Sequence, residues 1–387
     1  MAHEWMAERV RGYAPSVFAE MSALAQELNA VNLGQGFPDF DGPETIKEVA
    51  KVAIDATHNQ YAVSSGEPEL RAAIAEHAAR FYQQQVDPAS DITVTSGASE
   101  GIWCAAFAFI EPADEVIVFE PFFDTYVPNI RMAGGTPVAI TLRAPAFRPD
   151  PDELRAAFGP RTKAIFVNTP HNPTGTVFSQ EELSLIAELC QEHDVLAITD
   201  EVYEHIVYEG ATHRRLATFP GMWDRTLTLS SGGKSFSFTG WKIGWAIGPA
   251  HLQDAIRRIH QFTVFASTTP MQYAIAAALR LPDEYFRDLA AEYQARRDFL
   301  MDVLEETGLE PTEPEGSYFI LARIDNFPHD NALEFSRFLV REIGVAAIPP
   351  GTFYLHPEYG EKLVRFCFCK RWETLEAAAE RLVRLRA

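Results

Sequence analysis

Seven short, mostly apolar segments punctuate the middle of this chain, separated by helical patterning and turns. They are 91–95 (DITVT), 115–119 (EVIVF), 136–141 (TPVAIT), 164–168 (AIFVN), 195–200 (VLAITD), 226–230 (TLTLS) and 244–248 (GWAIG). Strands that are apolar on both faces belong in a sheet covered on both sides, because a half-solvated strand would alternate polar with apolar. Helix candidates at 99–110, 150–158 and 180–193 lie between them, and Ser179 followed by Glu182 has capping-box spacing. The alternation predicts an α/β fold with a mainly parallel seven-stranded sheet. Past about residue 275 the rhythm changes to long helices (282–307, 332–342) and short strands (318–322, 364–368). The expectation is a large α/β domain over 46–276 and a smaller α+β domain built from 1–45 and 277–387.

Charge narrows the partners. Lys and Arg total 33 against 54 Asp and Glu, a formal net charge of −21, which opposes nucleic acid and anionic membranes alike. The first eleven residues carry charges throughout and no signal-peptide core. The most apolar run, 101–110, is about half of the ~20 residues a membrane helix needs. Cys367 and Cys369 share a strand face, but no second Cys or His pair at ligand spacing accompanies them, so no metal is expected. With Cys104 and Cys190 they fit a reducing cytoplasm.

Parallel α/β sheets bind ligands at the carboxyl ends of their strands. Polar residues gather there in this chain: Ser96–Ser99, Asn172, Asp200–Tyr203 and Ser230–Lys234. Gly-Lys-Ser at 233–235 suggests a nucleotide loop, but that motif needs glycine where Thr228 stands. No G-x-G-x-x-G follows an early strand, which removes a dinucleotide-binding reading. Pyridoxal phosphate accounts for the set. It needs an amine for its aldehyde, an acid to keep its ring nitrogen protonated, and a cradle for its phosphate. Lys234 is the amine, held as a Schiff base, and Asp200 the acid; Tyr203 and Asn172 reach the ring oxygen. The amides of Gly97, Ala98 and Ser99 open a helix and form the cradle, with Ser231 and Lys242 adding a hydroxyl and a charge. The successive order of these groups along the strand ends carries the inference, since each alone is ordinary turn chemistry.

At this level the sequence resembles the class I aminotransferases of the type I pyridoxal-phosphate fold. The resemblance runs nearly end to end, from VNLGQGFPDF (31–40) through NQY (59–61) to LVRFCFCK (363–370). EPFFDTYVPNIRMAGG (120–135) and GVAAIPPGTFY (344–354) are similar, more narrowly, to the kynurenine aminotransferases, also called glutamine transaminase K and cysteine-conjugate β-lyase, and to bacterial methionine aminotransferases. The resemblance implies that Lys234 moves a proton between the substrate Cα and the cofactor's C4′, and that Phe123 stacks on the ring. It implies that Arg365 clamps the substrate α-carboxylate, helped by Asn172 and the Gly36 backbone, as a planar fork suits. It also implies a homodimer with shared sites, Tyr61 reaching the partner's cofactor phosphate. Ser99 stands where bacterial aspartate members carry lysine. Phe18 replaces a tryptophan of the kynurenine enzymes; Phe265 keeps their pocket aromatic, and Ala266 replaces the following histidine. An apolar pocket favours a neutral amino donor (sulfur-containing, aromatic or glutamine-like) and a 2-oxo acid acceptor. The alternatives are a carbon–sulfur β-lyase acting on cysteine conjugates or cystathionine, and an aspartate-type aminotransferase. A pyridoxal-phosphate-sensing regulator is disfavoured, because no spare length or basic charge remains for a DNA-binding domain.

Overall fold

A computed structural model of the chain describes residues 5–13 and 17–386. All seven expected segments form strands of one sheet: β1 (Ile92–Thr95), β2 (Glu115–Glu120), β3 (Thr136–Thr141), β4 (Thr162–Asn168), β5 (Leu196–Asp200), β6 (Thr226–Ser231) and β7 (Gly244–Ile247). Their order across the sheet is β1-β7-β6-β5-β4-β2-β3. Every pairing is parallel except those of β7, which runs antiparallel to both β1 and β6. The reversal has a chain-length cause. A parallel return needs a crossover that spans the sheet, usually a full helix. Between β6 and β7 the chain makes only one helical turn (Gly232–Ser235) and one 3₁₀ turn (Thr239–Trp241), so it folds straight back.

Alternate residues of one strand feed opposite cores. Ile117 and Phe119 of β2 pack with Ile165 and Val167 against the helices Pro151–Ala157 and Gln180–Glu192. Val116 and Val118 pack with Phe166, Ile198 and Leu229 beneath the helices Ala98–Phe109 and Ala250–Thr263. Each such side chain contributes about 1.5–3 kcal/mol by leaving water, which is why the middles of β2 (VIVF), β4 (AIFV) and β5 (LAI) are wholly apolar. The capping box is complete: Ser179 Oγ accepts from Glu182 N (3.2 Å) while Glu182 Oε2 accepts from Ser179 N (2.7 Å). Among the described residues no helix is long and apolar enough to cross a membrane.

The C-terminal part forms a three-stranded antiparallel sheet in the order Leu363–Cys367, Phe319–Arg323, Glu310–Pro311. Val31–Asn32 pairs in parallel with Val345–Ala346, tying the N-terminal segment to it. The helix expected over 332–342 is α-helical only through Ala332–Phe338 and widens to a π-helical turn at Leu339–Ile343, ended by left-handed Gly344.

Candidate active site

The carboxyl ends of the parallel strands open into a cavity of about 310 Å³. Phe18, Gly36, Gly97, Ala98, Ser99, Phe123, Asn172, Asp200, Tyr203, Ser231, Lys234, Lys242 and Arg365 all line it. Thirteen of the fifteen candidates read from the sequence therefore converge on one chamber.

Lys234 leaves β6 on the single helical turn that follows Ser231. The two glycines before it let the loop lie close: a Cβ on Gly232 would stand 2.8 Å from Ile275 Cδ1, and one on Gly233 would stand 3.2 Å from Thr239 Cα. Its Nζ donates to Gly36 O at 3.3 Å and lies 5.6 and 5.5 Å from the rings of Tyr203 and Tyr318. Burial pushes the ammonium pKa down, against the pull of Cys369, Cys367 and Asp200. An amine shifted this way is closer to its neutral, nucleophilic form.

Asp200 closes β5, side by side with Asn168 at the end of β4. Its Oδ2 accepts from the Tyr126 hydroxyl at 2.7 Å and its Oδ1 from Val202 N at 3.4 Å. Burial pushes its carboxyl pKa up, and these donors together with Lys234 only partly offset that. Asn168 is a brace: its Nδ2 donates to Asp200 O (2.8 Å) and its Oδ1 accepts from Asn172 N (2.7 Å). Tyr203 is buried edge-on against Tyr318, whose hydroxyl donates to Gly36 O at 2.7 Å. Burial likewise raises the Tyr203 phenol pKa.

The cradle depends on close approach. Gly97 has φ +74 and caps the helix Ala98–Phe109; a Cβ there would stand 3.0 Å from Lys242 Nζ. A Cβ on Gly244 would stand 2.5 Å from the Gly97 carbonyl carbon. Two glycines are thus required for the first-turn amides of the helix and the Lys242 ammonium to share one small space, which suits a phosphate.

Arg365 sits on the opposite wall in an aromatic cage, its guanidinium carbon 5.0, 4.3 and 5.5 Å from the rings of Phe18, Phe319 and Phe353. Nη1 donates to Asn172 Oδ1 (3.2 Å) and Nη2 to Gly34 O (3.0 Å), while the buried Nε has no hydrogen-bond partner. A buried donor left unpaired is costly, so the fork is prepared for a carboxylate.

Two candidates lie elsewhere. Tyr61 is 85% exposed and Phe265 46% exposed, and their rings meet edge-to-face at 5.4 Å. Neither residue lines the chamber of its own chain. Phe265 has a left-handed φ of +68 just beyond the helix Ala250–Thr263, and that turn places its ring beside Tyr61.

Sequence reading missed several groups. Tyr126 stands three residues after Phe123 and opens the helix Tyr126–Met132, its N donating to Phe123 O at 3.1 Å across the turn, and that spacing was the available signal. Beneath the strand ends, Arg215 Nη2 donates to Glu204 Oε2 at 2.7 Å, and its Nε lies 3.2 Å from Glu201 Oε2 without hydrogen-bond alignment. Ser230 Oγ donates to Glu204 Oε1 at 2.6 Å. Burial alone would raise the Glu204 carboxyl, but Arg215, His77 and His205 together hold it well below the usual range. Glu201 and Glu204 immediately follow Asp200 and Tyr203, so Arg215 pins the segment that carries both. Arg215→Met leaves two buried carboxylates uncompensated and is expected to destabilise the protein by about 3–5 kcal/mol, read from the denaturant midpoint; a change below about 1 kcal/mol would contradict this. His77 Nε2 and His205 Nε2 lie 2.6 Å apart beside Glu204 and had no signal in the sequence spacing.

The chamber has what pyridoxal phosphate requires: a half-buried amine, a buried carboxylate whose charge is poorly matched, and a glycine-walled amide cradle with a lysine over it. Comparison with known proteins agrees. The family model described as aminotransferase class I and II matches residues 29–382. Human kynurenine–oxoglutarate transaminase 3 is 42% identical, the match covering 97% of this chain and 89% of the human protein. The solved N-succinyldiaminopimelate aminotransferase of Mycobacterium tuberculosis superposes with a TM-score of 0.96 at 44% identity, covering 98% of this chain and 100% of that one. The Escherichia coli protein YbdL, whose structure identified a methionine aminotransferase function, gives 0.94 at 40% identity, covering 98% and 99%. By fold, site and relatives alike, the chain belongs to the class I and II aminotransferases, pyridoxal-phosphate-dependent enzymes that move amino groups between amino acids and 2-oxo acids.

Proposed function

We propose that this aminotransferase takes neutral L-amino acids, sulfur-containing, aromatic or glutamine-like, as donors to a 2-oxo acid. The observation that supports this is the charge inventory of the chamber. Its lining cations are Lys234, Lys242 and Arg365; in this reading the first two serve the cofactor, and Arg365 is occupied by the α-carboxylate. A second substrate carboxylate has no cation left to meet among the described residues, and burying it unpaired would cost several kcal/mol. The remaining walls include Phe18, Phe123 and Phe319. Relatives named for kynurenine and methionine support the same reading.

Each residue then has a task. Arg365 and Asn172 orient the donor through its α-carboxylate. Lys234 would hold the cofactor aldehyde and, as a free amine, would take up and return the proton of the substrate Cα. Asp200, held by Tyr126, keeps the ring nitrogen protonated, and Tyr203 and Asn172 donate to the ring oxygen. Phe123 covers one ring face. Gly97, Ala98, Ser99, Ser231 and Lys242 bind the phosphate. Bound pyridoxal phosphate supplies the electron sink for the pair left at Cα. Tyr61 and Phe265 face a second copy of the chain and complete its site, which makes the working unit a homodimer.

The test is a donor panel of methionine, phenylalanine, glutamine, kynurenine, aspartate and N-succinyl-diaminopimelate, scored by kcat/KM against several 2-oxo acids. Methionine, phenylalanine or glutamine should lead aspartate by at least about tenfold. Aspartate or N-succinyl-diaminopimelate leading the panel would overturn the proposal. Release of pyruvate and ammonia from a cysteine conjugate, without acceptor and faster than transamination, would reassign the enzyme as a β-lyase.

A further inference from the structure

One charged group of the chamber has no task in that scheme. Asp124 lies in the turn between β2 and the helix Tyr126–Met132 and lines the cavity. Among the described residues its only hydrogen bond is a long one from Thr125 Oγ1, at 3.5 Å, and it forms no ion pair. Arg365, the cation whose charge acts on it, directs Nη1 and Nη2 at Asn172 and Gly34 instead. Burial pushes the Asp124 pKa up and Arg365 pulls it back. Lys234 and Lys242 are committed elsewhere. A carboxylate in a substrate chamber, with its acceptor capacity almost unused, has a consequence for whatever side chain enters.

We propose that Asp124 sets side-chain specificity, repelling a second carboxylate on the substrate and accepting a hydrogen bond from a side-chain donor such as a primary amide or an aryl amine. The inference rests on the neutral-donor reading above and names the group that enforces it. With the α-carboxylate on Arg365, a γ-carboxylate would share a partly desolvated chamber with Asp124, where like charges repel far more strongly than in water. A terminal amide of the same length offers N–H groups to the same oxygens. A thioether is neither repelled nor rewarded. The order expected is therefore amide first, thioether next, carboxylate last.

Unreactive desamino analogues test this by calorimetry on the cofactor-loaded enzyme, independent of turnover. Glutaramate, 4-(methylthio)butanoate and glutarate share the carboxylate for Arg365 and differ at the far end. In the wild type, glutarate should bind at least about tenfold more weakly than glutaramate. Asp124→Asn should reduce that ratio to about threefold or less, mainly by tightening glutarate, and Asp124→Glu should keep the exclusion. Asp124→Ser serves as a second neutral variant should the asparagine form fail to load cofactor. An unchanged ratio in the neutral variants overturns the proposal. So does an equal shift for all three ligands, which would assign Asp124 to balancing the Arg365 charge, or a wild type that binds glutarate as tightly as glutaramate. A wild type that shows the ratio but transfers no amino group from any donor would sink the functional reading and leave the role of Asp124 standing.

Discussion

Replacing Lys234 by alanine is expected to lower kcat for amino transfer by at least about 10³-fold, since one side chain supplies both the covalent anchor and the proton carrier and each step is worth about 10²-fold or more. The geometry leaves no substitute. Lys242, the other lysine of the chamber, stands over the Gly97 cradle, with its Nζ 3.0 Å from where a Gly97 Cβ would lie. Lys370 is turned away, its Nζ donating to Gln35 O at 3.1 Å and Phe37 O at 2.8 Å. Water could remove the Cα proton only from a poorly aligned position. The fold should not suffer, because the half-buried Lys234 ammonium has a single long hydrogen bond and its removal relieves desolvation. Two measurements separate the cases: single-turnover conversion of methionine, and the denaturant midpoint. Loss of conversion at an unchanged or higher midpoint is the expected pair. A variant that still turns over within tenfold of the wild type would remove Lys234 from the chemistry, and with it the reading of the whole chamber.

How much of this was legible without coordinates follows from what kind of signal each group leaves. Strand-end groups were readable because an α/β sheet exports its polar residues to one edge, so Asp200 ends an apolar run and Asn172 follows one by four residues. Lys234 was readable because small residues around a lysine are a poor solvated surface. The antiparallel return of β7 was not foreseen as such, since its strand looks the same in either direction; only the short connection through Lys234 decides it. Tyr126 and Arg215 were missed for a different reason. A tyrosine in a helix and an arginine in a loop are ordinary until their partners, Asp200 and the pair Glu201 and Glu204, are brought to them from 74, 14 and 11 positions away. Phe265 is assigned to a pocket by the resemblance alone, and its ring packs on Tyr61 outside its own chain's chamber. Asp124, inside EPFFDTY, carries no signal of its own, since an aspartate in a turn is ordinary chemistry.

Asp200→Asn is expected to move stability and catalysis in opposite directions. In the protein without cofactor, burial holds the Asp200 carboxyl pKa above its ordinary value. A group whose folded pKa is raised lends stability below its unfolded pKa of about 4 and loses it as pH rises through the folded value. At pH 8 the cofactor-free wild type therefore carries a buried charge with too few partners, and asparagine removes it while keeping an oxygen to accept from the Tyr126 hydroxyl. The apo variant should gain about 1–2 kcal/mol at pH 8, about 1–3 °C in Tm for a chain of this length, and the gain should vanish below about pH 4. Cofactor reverses the sign. With a cationic ring beside it the carboxylate becomes the favoured form, its pKa falls, and the stability it lends is then present above about pH 4 and lost on acidification. A neutral amide cannot hold the ring nitrogen protonated, so the variant should bind cofactor about 10–100-fold more weakly and turn over at least about 10²–10³-fold more slowly. Thermal melts of apo and loaded protein at pH 4 and pH 8, alongside cofactor titration, give all four signs at once. An apo variant less stable than the wild type at pH 8 would mean that Asp200 is held by its hydrogen bonds for the sake of the fold. Its place at the end of β5 would then say nothing about the ring it is meant to charge.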